Sequence, residues 1–582
     1  MKDFLEEFKT TFTNYKTIVF KFLLSLYSYF CIITIMGLKG SYSVFLTISC
    51  VAIICLFLKT TIDENVKKTS IFSALVCGFL ICLGNMVGNN IGSNNYDIFT
   101  IKSLIRLIIL WGGISLFFFY LLNLVFSKLK KVNLIVKNDR NNSTKIFFGS
   151  WIFIFILWLP YFLRFFPGIL SLDSRLQLSY IEEGILMNNH PFIQTWFEGG
   201  IYNFGKFLFH NANLAMGLYT IVQMLILSAI FAYAVRFLYK HKFNSLIVFC
   251  VTLIYALLPQ FAIYSVTLWK DVLFGGAMVL MLITLVEMTM QEKILKGNLT
   301  LFVISSLMIL FFRNNGIYIM LLCTPFLLYG FRKNFKVILV TLLSLFVCYF
   351  VIIGPLYSYL KVGKSNAVES FAIPLQQVGR VIAASESIDQ KEAKYLQTIF
   401  DFSEIEEVYE AYIVDPVKNH ADKERLDKTK VEFLEIWGRL LLKHPDTYME
   451  AYLSQTLGYW YPSIKYWTTV TVDTDNSYGV ENVNLMPKIV AKYIDYIRSL
   501  DFIFAPLFWG IGLGFITMFL CFAVSNIRKI EKEKYIVWFS PYIGLWVTMM
   551  LAAPVFAEYR YVYGLFASMP IIILLPFVKS KL

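Results

Sequence analysis

The chain has 582 residues, of which 58% are hydrophobic, 17% aromatic and only 16% charged. Soluble domains carry about a quarter charged residues, so a water-soluble enzyme is excluded and a polytopic membrane protein is implied. The formal net charge of +13 would indicate a nucleic-acid partner only as a basic face on a folded domain; none is evident, and the lipid bilayer is the expected surrounding.

Apolar runs of membrane-crossing length fall at 17–37, 41–58, 71–92, 103–126, 146–166, 212–235, 243–264, 271–290, 298–312, 316–331, 337–356, 502–526, 535–553 and 561–578, about fourteen in all. The first is too long for a signal-peptide core and no small-residue cleavage site follows, so a retained helix is expected. The runs 298–312 and 316–331 are short and separated only by Arg313-Asn314-Asn315, the pattern of a hairpin that does not cross fully. With a cytoplasmic N-terminus, alternate loops carry Lys59, Lys67 and Lys68; Lys128, Lys130, Lys131, Lys137, Arg140 and Lys145; Arg236, Lys240 and Lys242; Lys293 and Lys296; Arg332, Lys333 and Lys336; and Arg528, Lys529, Lys532 and Lys534. Lys579 and Lys581 fall on the same side, so the positive-inside rule places both termini in the cytoplasm.

The expected fold class is all-α polytopic, in four parts: helices over 1–145, a core over 146–357, an external mainly helical block over 358–501 and three helices over 502–582. The block has a net charge of about −6, opposite in sign to the remainder. Its stretch Val431 to Leu442 has apolar residues at 433, 434, 436, 437, 440 and 441, a helical face. A second run, Tyr448 to Trp460, follows the His444-Pro445 break. Tyr459-Trp460-Tyr461 and Tyr466-Trp467 read as interfacial anchors or a sugar-stacking surface, and 473–484 as a flexible loop. The nine cysteines all fall in apolar runs and read as packing residues. There is no CxxC, HExxH, P-loop or GxGxxG pattern and no internal repeat, which speaks against zinc or nucleotide chemistry and against an inverted-repeat transporter.

The polar residues gather at the mouths of the apolar runs, all on the external side. Pro167 to Gln177 carries Asp173, Arg175 and Gln177; Glu182, Glu183, His190 and Lys206 follow. Asp173 and Gln177 are four apart and share a helical face, and Leu178, Ile181 and Ile185 recur at helical spacing. Later mouths carry Lys270-Asp271, Arg313-Asn314-Asn315 and Glu558-Tyr559-Arg560. Taken singly, each has a bland explanation: a snorkelling Lys270 beside an N-capping Asp271, a structural Glu558–Arg560 pair, an Arg313 that stops a span, a solvated Glu182–Glu183 face, a turn-capping His190. Their joint placement favours one shared site.

The motifs Pro167-Gly168…Asp173-Ser174…Gln177…Asn189-His190-Pro191, Trp269-Lys270-Asp271, Arg313-Asn314-Asn315-Gly316 and Glu558-Tyr559-Arg560-Tyr561 resemble a family of uncharacterised bacterial multi-pass proteins. That family is similar to the C-type glycosyltransferase superfamily, which uses polyprenyl-phosphate sugars. The resemblance spans about 146–570 and implies a seven-helix core over 146–357 with a catalytic external loop over 167–211. It implies a bacterial cell-membrane protein with an external active site, taking a polyprenyl-phosphate-linked sugar as donor and a glycan or glycolipid as acceptor. It implies Asp173 as general base with His190 and Glu182 beside it. Lys270, Arg313, Arg560 and Gln177 would hold the donor phosphate, and Glu558, Asn314 and Asp271 the substrate. No cofactor is certain; a divalent cation at Asp173 is compatible with the chemistry, though no ligand cluster calls for one. The rival classes are a multi-pass transporter or lipid flippase, and a non-catalytic envelope assembly protein. The apolar runs' centres are nearly free of charge (Arg106 and Glu287 lie toward run ends), which favours surface chemistry over passage.

Overall fold

The computed structural model describes residues 2–37, 43–91, 98–136, 142–462, 464, 476–499 and 510–578. Among them the secondary structure is helical, with only isolated β-bridges besides. Water is absent from hydrocarbon, so a spanning backbone must satisfy its own polar groups, and helices do this within one segment. Nine described helices are long and apolar enough to cross a membrane: Lys16–Met36, Glu64–Asn89, Ile101–Lys131, Ser143–Arg164, Ala212–Lys240, Lys270–Thr289, Arg332–Leu360, Lys532–Ala552 and Tyr559–Phe577. A tenth crossing would be the pair Ser245–Leu257 and Pro259–Val266, bent by 48° where Pro259 interrupts the ladder. Val44–Lys59, Lys296–Phe312, Gly316–Gly330 and Ile511–Ile527 are shorter apolar helices. All fourteen expected runs overlap a helix; 298–312 and 316–331, which the sequence already marks as short, are among the four shorter ones, as is 41–58 among the described residues.

Lys270–Thr289 is the axis of the bundle and is buried from Asp271 to Met288. Ala212–Lys240, Lys296–Phe312, Lys532–Ala552 and Tyr563–Ile572 surround it. Two further helices, Leu172–Glu183 and Phe192–Phe209, lie between the spans Ser143–Arg164 and Ala212–Lys240. The first was expected from its spacing, though it ends before Ile185; the second was not.

The block after Leu360 folds around its own core, which includes Leu375, Val378, Leu396, Phe433, Leu440 and Tyr448. It docks on the loop before the last span. Val414 N donates to Pro554 O at 3.0 Å, Phe556 N to Tyr412 O at 2.8 Å, and Gly458 N to Phe556 O at 2.7 Å, while Gln455 Nε2 donates to Ala553 O at 2.8 Å. Two sequence expectations are corrected here. Tyr459 and Trp460 are buried; Trp460 packs against the N-terminal helices and Tyr459 against the core of the membrane bundle, and they form neither a membrane anchor nor an open stacking surface. The supposed flexible loop is pinned from Asn476 onward: Asn482 Nδ2 donates to Phe165 O at 3.1 Å and Val483 N to Phe166 O at 2.6 Å. Tyr466, Trp467, Asp473, Lys137, Arg140, Lys579, Lys581 and positions 502–509 lie outside the described residues.

The N-terminal helices, for which the sequence offered no role, are fastened to the rest by Arg528. Its Nη1 donates to Leu129 O at 2.6 Å and Val132 O at 2.8 Å, capping the carbonyl end of the helix Ile101–Lys131.

The turn at Arg313 depends on Gly316, where an added Cβ would sit 1.7 Å from the Ile309 carbonyl oxygen. Gly316→Ala is expected to destabilise the protein by about 3 kcal/mol, seen as a lower thermal midpoint in detergent. Gly297→Ala, with open space at its Cβ, should leave the midpoint within about 1 °C of the parent.

Candidate functional site

The site begins at the turn out of the span Ser143–Arg164. Gly168 adopts φ +152°, and a Cβ there would meet Thr220 Oγ1 at 2.8 Å and Val266 O at 3.1 Å. Ile169 then pairs with the 266–268 turn: Ile169 N donates to Val266 O at 2.8 Å and Leu268 N to Ile169 O at 3.1 Å. Ser171 caps the next helix with Ser174, and Trp269 Nε1 donates to Ser171 Oγ at 2.6 Å. This cap puts Asp173 in the first helical turn, where the helix dipole favours a negative charge. The same short pairing places Lys270, first residue of its own helix, directly opposite.

Asp173 Oδ2 receives two cations, Lys270 Nζ at 3.1 Å and Arg560 Nη1 at 2.6 Å; Oδ1 bonds to none of the described residues. Arg560 comes from the turn Tyr559–Val562 and lies over the rings of Trp269 at 5.2 Å and Tyr561 at 5.1 Å. Lys270 Nζ also donates to His190 Nδ1 at 3.0 Å. An ammonium only donates, so that imidazole carries its proton on Nε2, an atom that is buried without a partner. Behind this layer, Arg313 Nε approaches the wholly buried Asp271 Oδ1 at 3.4 Å, and Arg313 Nη1 donates to Tyr561 O at 2.5 Å. The Arg313 guanidinium also lies against the site's aromatic wall, 4.5 Å from the Tyr561 ring centroid. Glu558, also buried, lies 3.5 Å from Arg560 Nε.

Burial alone would raise the Asp173 carboxyl, but Lys270 and Arg560 outweigh it and hold the group well below the usual carboxylate range. His190 is depressed to about 4, first by burial and then by Lys270, so it is neutral at pH 7. Glu558 is pushed up to about 8 by burial, which Arg560 offsets only in part. At neutral pH Asp173 is thus ionised, His190 neutral and Glu558 largely protonated, beside the basic side chains of Lys270, Arg313 and Arg560. Such a concentration of basic side chains, largely removed from water, suits an anion.

The chain brings together Asp173, His190, Lys270, Asp271, Arg313, Glu558 and Arg560. Asn314 borders them: its Nδ2 donates to Asn188 O at 3.1 Å, two residues before His190. Two of the expected residues go elsewhere. Glu182 accepts from Lys206 Nζ at 2.8 Å and Tyr202 Oη at 2.5 Å. Gln177 is buried and its Nε2 donates to Gln194 Oε1 at 2.6 Å and Thr195 Oγ1 at 2.8 Å, because a residue one turn from Asp173 points into the helix Phe192–Phe209. The described residues contain no group of three His, Cys, Asp or Glu side chains able to hold a metal ion.

Sequence reasoning missed the buried network that supports this layer. Gln194 Nε2 donates to Glu198 Oε2 at 3.2 Å, and Gln223 Nε2 donates to Ser265 O at 3.0 Å and Thr267 O at 2.8 Å. Tyr219 Oη joins the two amides, accepting from Gln194 and donating to Gln223, each at 3.4 Å. These contacts tie the Asp173 helix to the turn that delivers Lys270. The available signal was an acid, Glu198, set between Trp196-Phe197 and Gly199-Gly200 in an aromatic run.

Residues 180–581 match a family model described as "Family of unknown function (DUF6020)", and the chain belongs to that family. The match covers Lys270, Arg313 and Arg560 and begins after Asp173. No curated protein and no solved structure matches the chain.

Glu198 is pushed up to about 8, chiefly by burial. Its folded state therefore keeps a proton that the unfolded chain releases above about pH 4.5, so stability falls as pH rises from about 4.5 to 8. Glu198→Gln removes this slope. It should raise the thermal midpoint at pH 8 relative to the parent and leave it nearly unchanged at pH 5, as read by scanning fluorimetry in detergent.

Proposed function

We propose that this protein is an inverting membrane glycosyltransferase, moving a sugar from a polyprenyl-phosphate carrier to a glycan or glycolipid acceptor of the cell envelope. The observation that supports this best is the meeting of Asp173, Lys270, Arg313 and Arg560 at the ends of apolar helices, from segments as much as 387 residues apart. A carrier whose tail lies in the bilayer presents its phosphate at this level. Arg560 and Arg313 suit a phosphate through their planar forks of donors, and Lys270 as a point charge. Charges at helix ends serve surface chemistry, whereas a transporter distributes them along a path through the midplane.

In the resting site Asp173 is too strongly paired to be an effective base. A donor phosphate competes with it for Lys270 and Arg560, and each cation it takes restores basicity to the carboxylate. The acceptor oxygen then attacks the anomeric carbon from the face opposite the phosphate. Its proton passes to Asp173, the bond from the anomeric carbon to the phosphate oxygen breaks, and the electron pair leaves on polyprenyl phosphate. Charge grows on that leaving group, where Lys270, Arg560 and Arg313 are already in place. Neutral His190 holds Lys270, and Glu558 orients Arg560. Gln177 and Glu182 drop out of the reacting set because both are engaged elsewhere. The fuller architecture belongs to the same proposal: fourteen helices in the membrane, a seven-helix core over 146–357, both termini cytoplasmic and the site external, as the basic loops indicate.

Native mass spectrometry of the purified protein tests the reading. The parent should carry a polyprenyl-phosphate sugar. Arg313→Ala should lose it and Asp173→Asn should retain or accumulate it, since the first removes a phosphate ligand and the second only the base. Absence of any isoprenoid lipid from all three forms would remove the carrier-dependent mechanism.

A further inference from the structure

The helix Lys488–Ser499 turns an unexpected face outward. Ala491 and Ile494 are buried, and Ile494 and Val490 pack on the same core as the membrane helices. At about 100° per residue, Tyr496, Ile489 and Tyr493 fall within about 60° of one another on another face. They are 60%, 85% and 63% exposed. Lys492 and then Lys488 border this stripe along one edge, and both are exposed. An apolar, tyrosine-bearing stripe with a basic margin is out of place against water and is the pattern of an interfacial helix.

The level of this helix is fixed independently. Arg164 is the last residue of the span Ser143–Arg164, and its guanidinium grips Asp495 by two bonds, Nε to Oδ1 at 3.1 Å and Nη2 to Oδ2 at 2.9 Å. Leu485 N donates to Leu163 O at 2.8 Å just before the helix begins. That span itself turns Phe148, Ile152 and Ile156 outward. The exposed stripe thus lies beside the end of a span whose own apolar face is exposed, a level where tyrosine accumulates in membrane proteins.

We propose that the helix Lys488–Ser499 binds anionic phospholipid in the leaflet on the Asp173 side. Ile489, Tyr493 and Tyr496 enter the boundary between headgroup and acyl chain, and Lys488 and Lys492 meet headgroup phosphates. The inference is independent of the proposed transferase activity, which its test does not use.

The test replaces Ile489, Tyr493 or Tyr496, one at a time, with the photoreactive residue p-benzoylphenylalanine. The full chain is placed in nanodiscs of equal phosphatidylglycerol and phosphatidylethanolamine, with the same label at Ile152 as a position already facing lipid. Lipid-mass adducts are expected at all three positions, with phosphatidylglycerol in about fivefold excess. The excess should vanish, and the adducts persist, when Lys488→Ala and Lys492→Ala are added. Adducts at Ile152 but at none of the three positions would overturn the proposal, as would crosslinks to a second polypeptide in their place. Equal yields from the two lipids would overturn the lysine–phosphate contact.

Discussion

The rest of the site depends on one ionic arrangement: a single carboxylate oxygen, Asp173 Oδ2, shared by Lys270 and Arg560. Each of these charges sits at the mouth of a different helix, and each is largely removed from water. Burying any of them alone would cost several kcal/mol. They are tolerable only together, so the chain must bring three segments to one point before any of the three can be buried. The pairing of Ile169 with the 266–268 turn and the Trp269–Ser171 bond are the backbone and side-chain means of doing so. Two elements with unrelated hydrophobic patterns are thereby forced into register.

A second consequence concerns the block that follows the span Arg332–Leu360. Among its contacts with the rest of the chain are the bonds to 553–556, in the loop that delivers Glu558 and, two residues later, Arg560. The segment 476–485 does the same for the other half of the site by holding Phe165, Phe166 and Gly168. Both segments that converge on Asp173 are therefore braced from outside the bundle. Loops at the membrane boundary have few partners of their own and are normally the least stable parts of such a fold; here folded protein replaces water around them.

Hydropathy made the helices legible because a spanning backbone has so few alternatives. It also marked Lys296–Phe312 and Gly316–Gly330 as short, but not Val44–Lys59, whose apolar run reads as one of crossing length. The polar mouths were legible as a group for a related reason: ionisable residues beside apolar runs are rare enough to stand out. Individual roles were less so. Gln177 shares a helical face with Asp173 by spacing, yet a few tens of degrees of helix rotation direct it into the Gln194–Glu198 network. Tyr459 and Trp460 looked like surface aromatics because composition does not reveal that another helix layer covers them. Glu198 escaped notice because a lone acid in an aromatic run carries no motif. Only the fold shows that Gln194 and Tyr219 enclose it.

The depth of the charges bears on how such a site would work. Asp173 has a quarter of its side chain exposed, while the Asp271 side chain behind it has none. In the proposed reaction the donor phosphate would meet Lys270 and Arg560 first and compete with Asp173 for them. Arg313 is held differently. It is fixed by Asp271, by the Tyr561 carbonyl and by the Tyr561 ring, so it supplies a positive potential without moving. A site ordered in this way separates two tasks. On the proposed reading, the outer pair would trade partners and couple anion arrival to the release of a carboxylate base, while the inner arginine stays in place. Tyr561, with the guanidinium carbons of Arg313 and Arg560 4.5 Å and 5.1 Å from its ring centroid, offers its ring to both arginines.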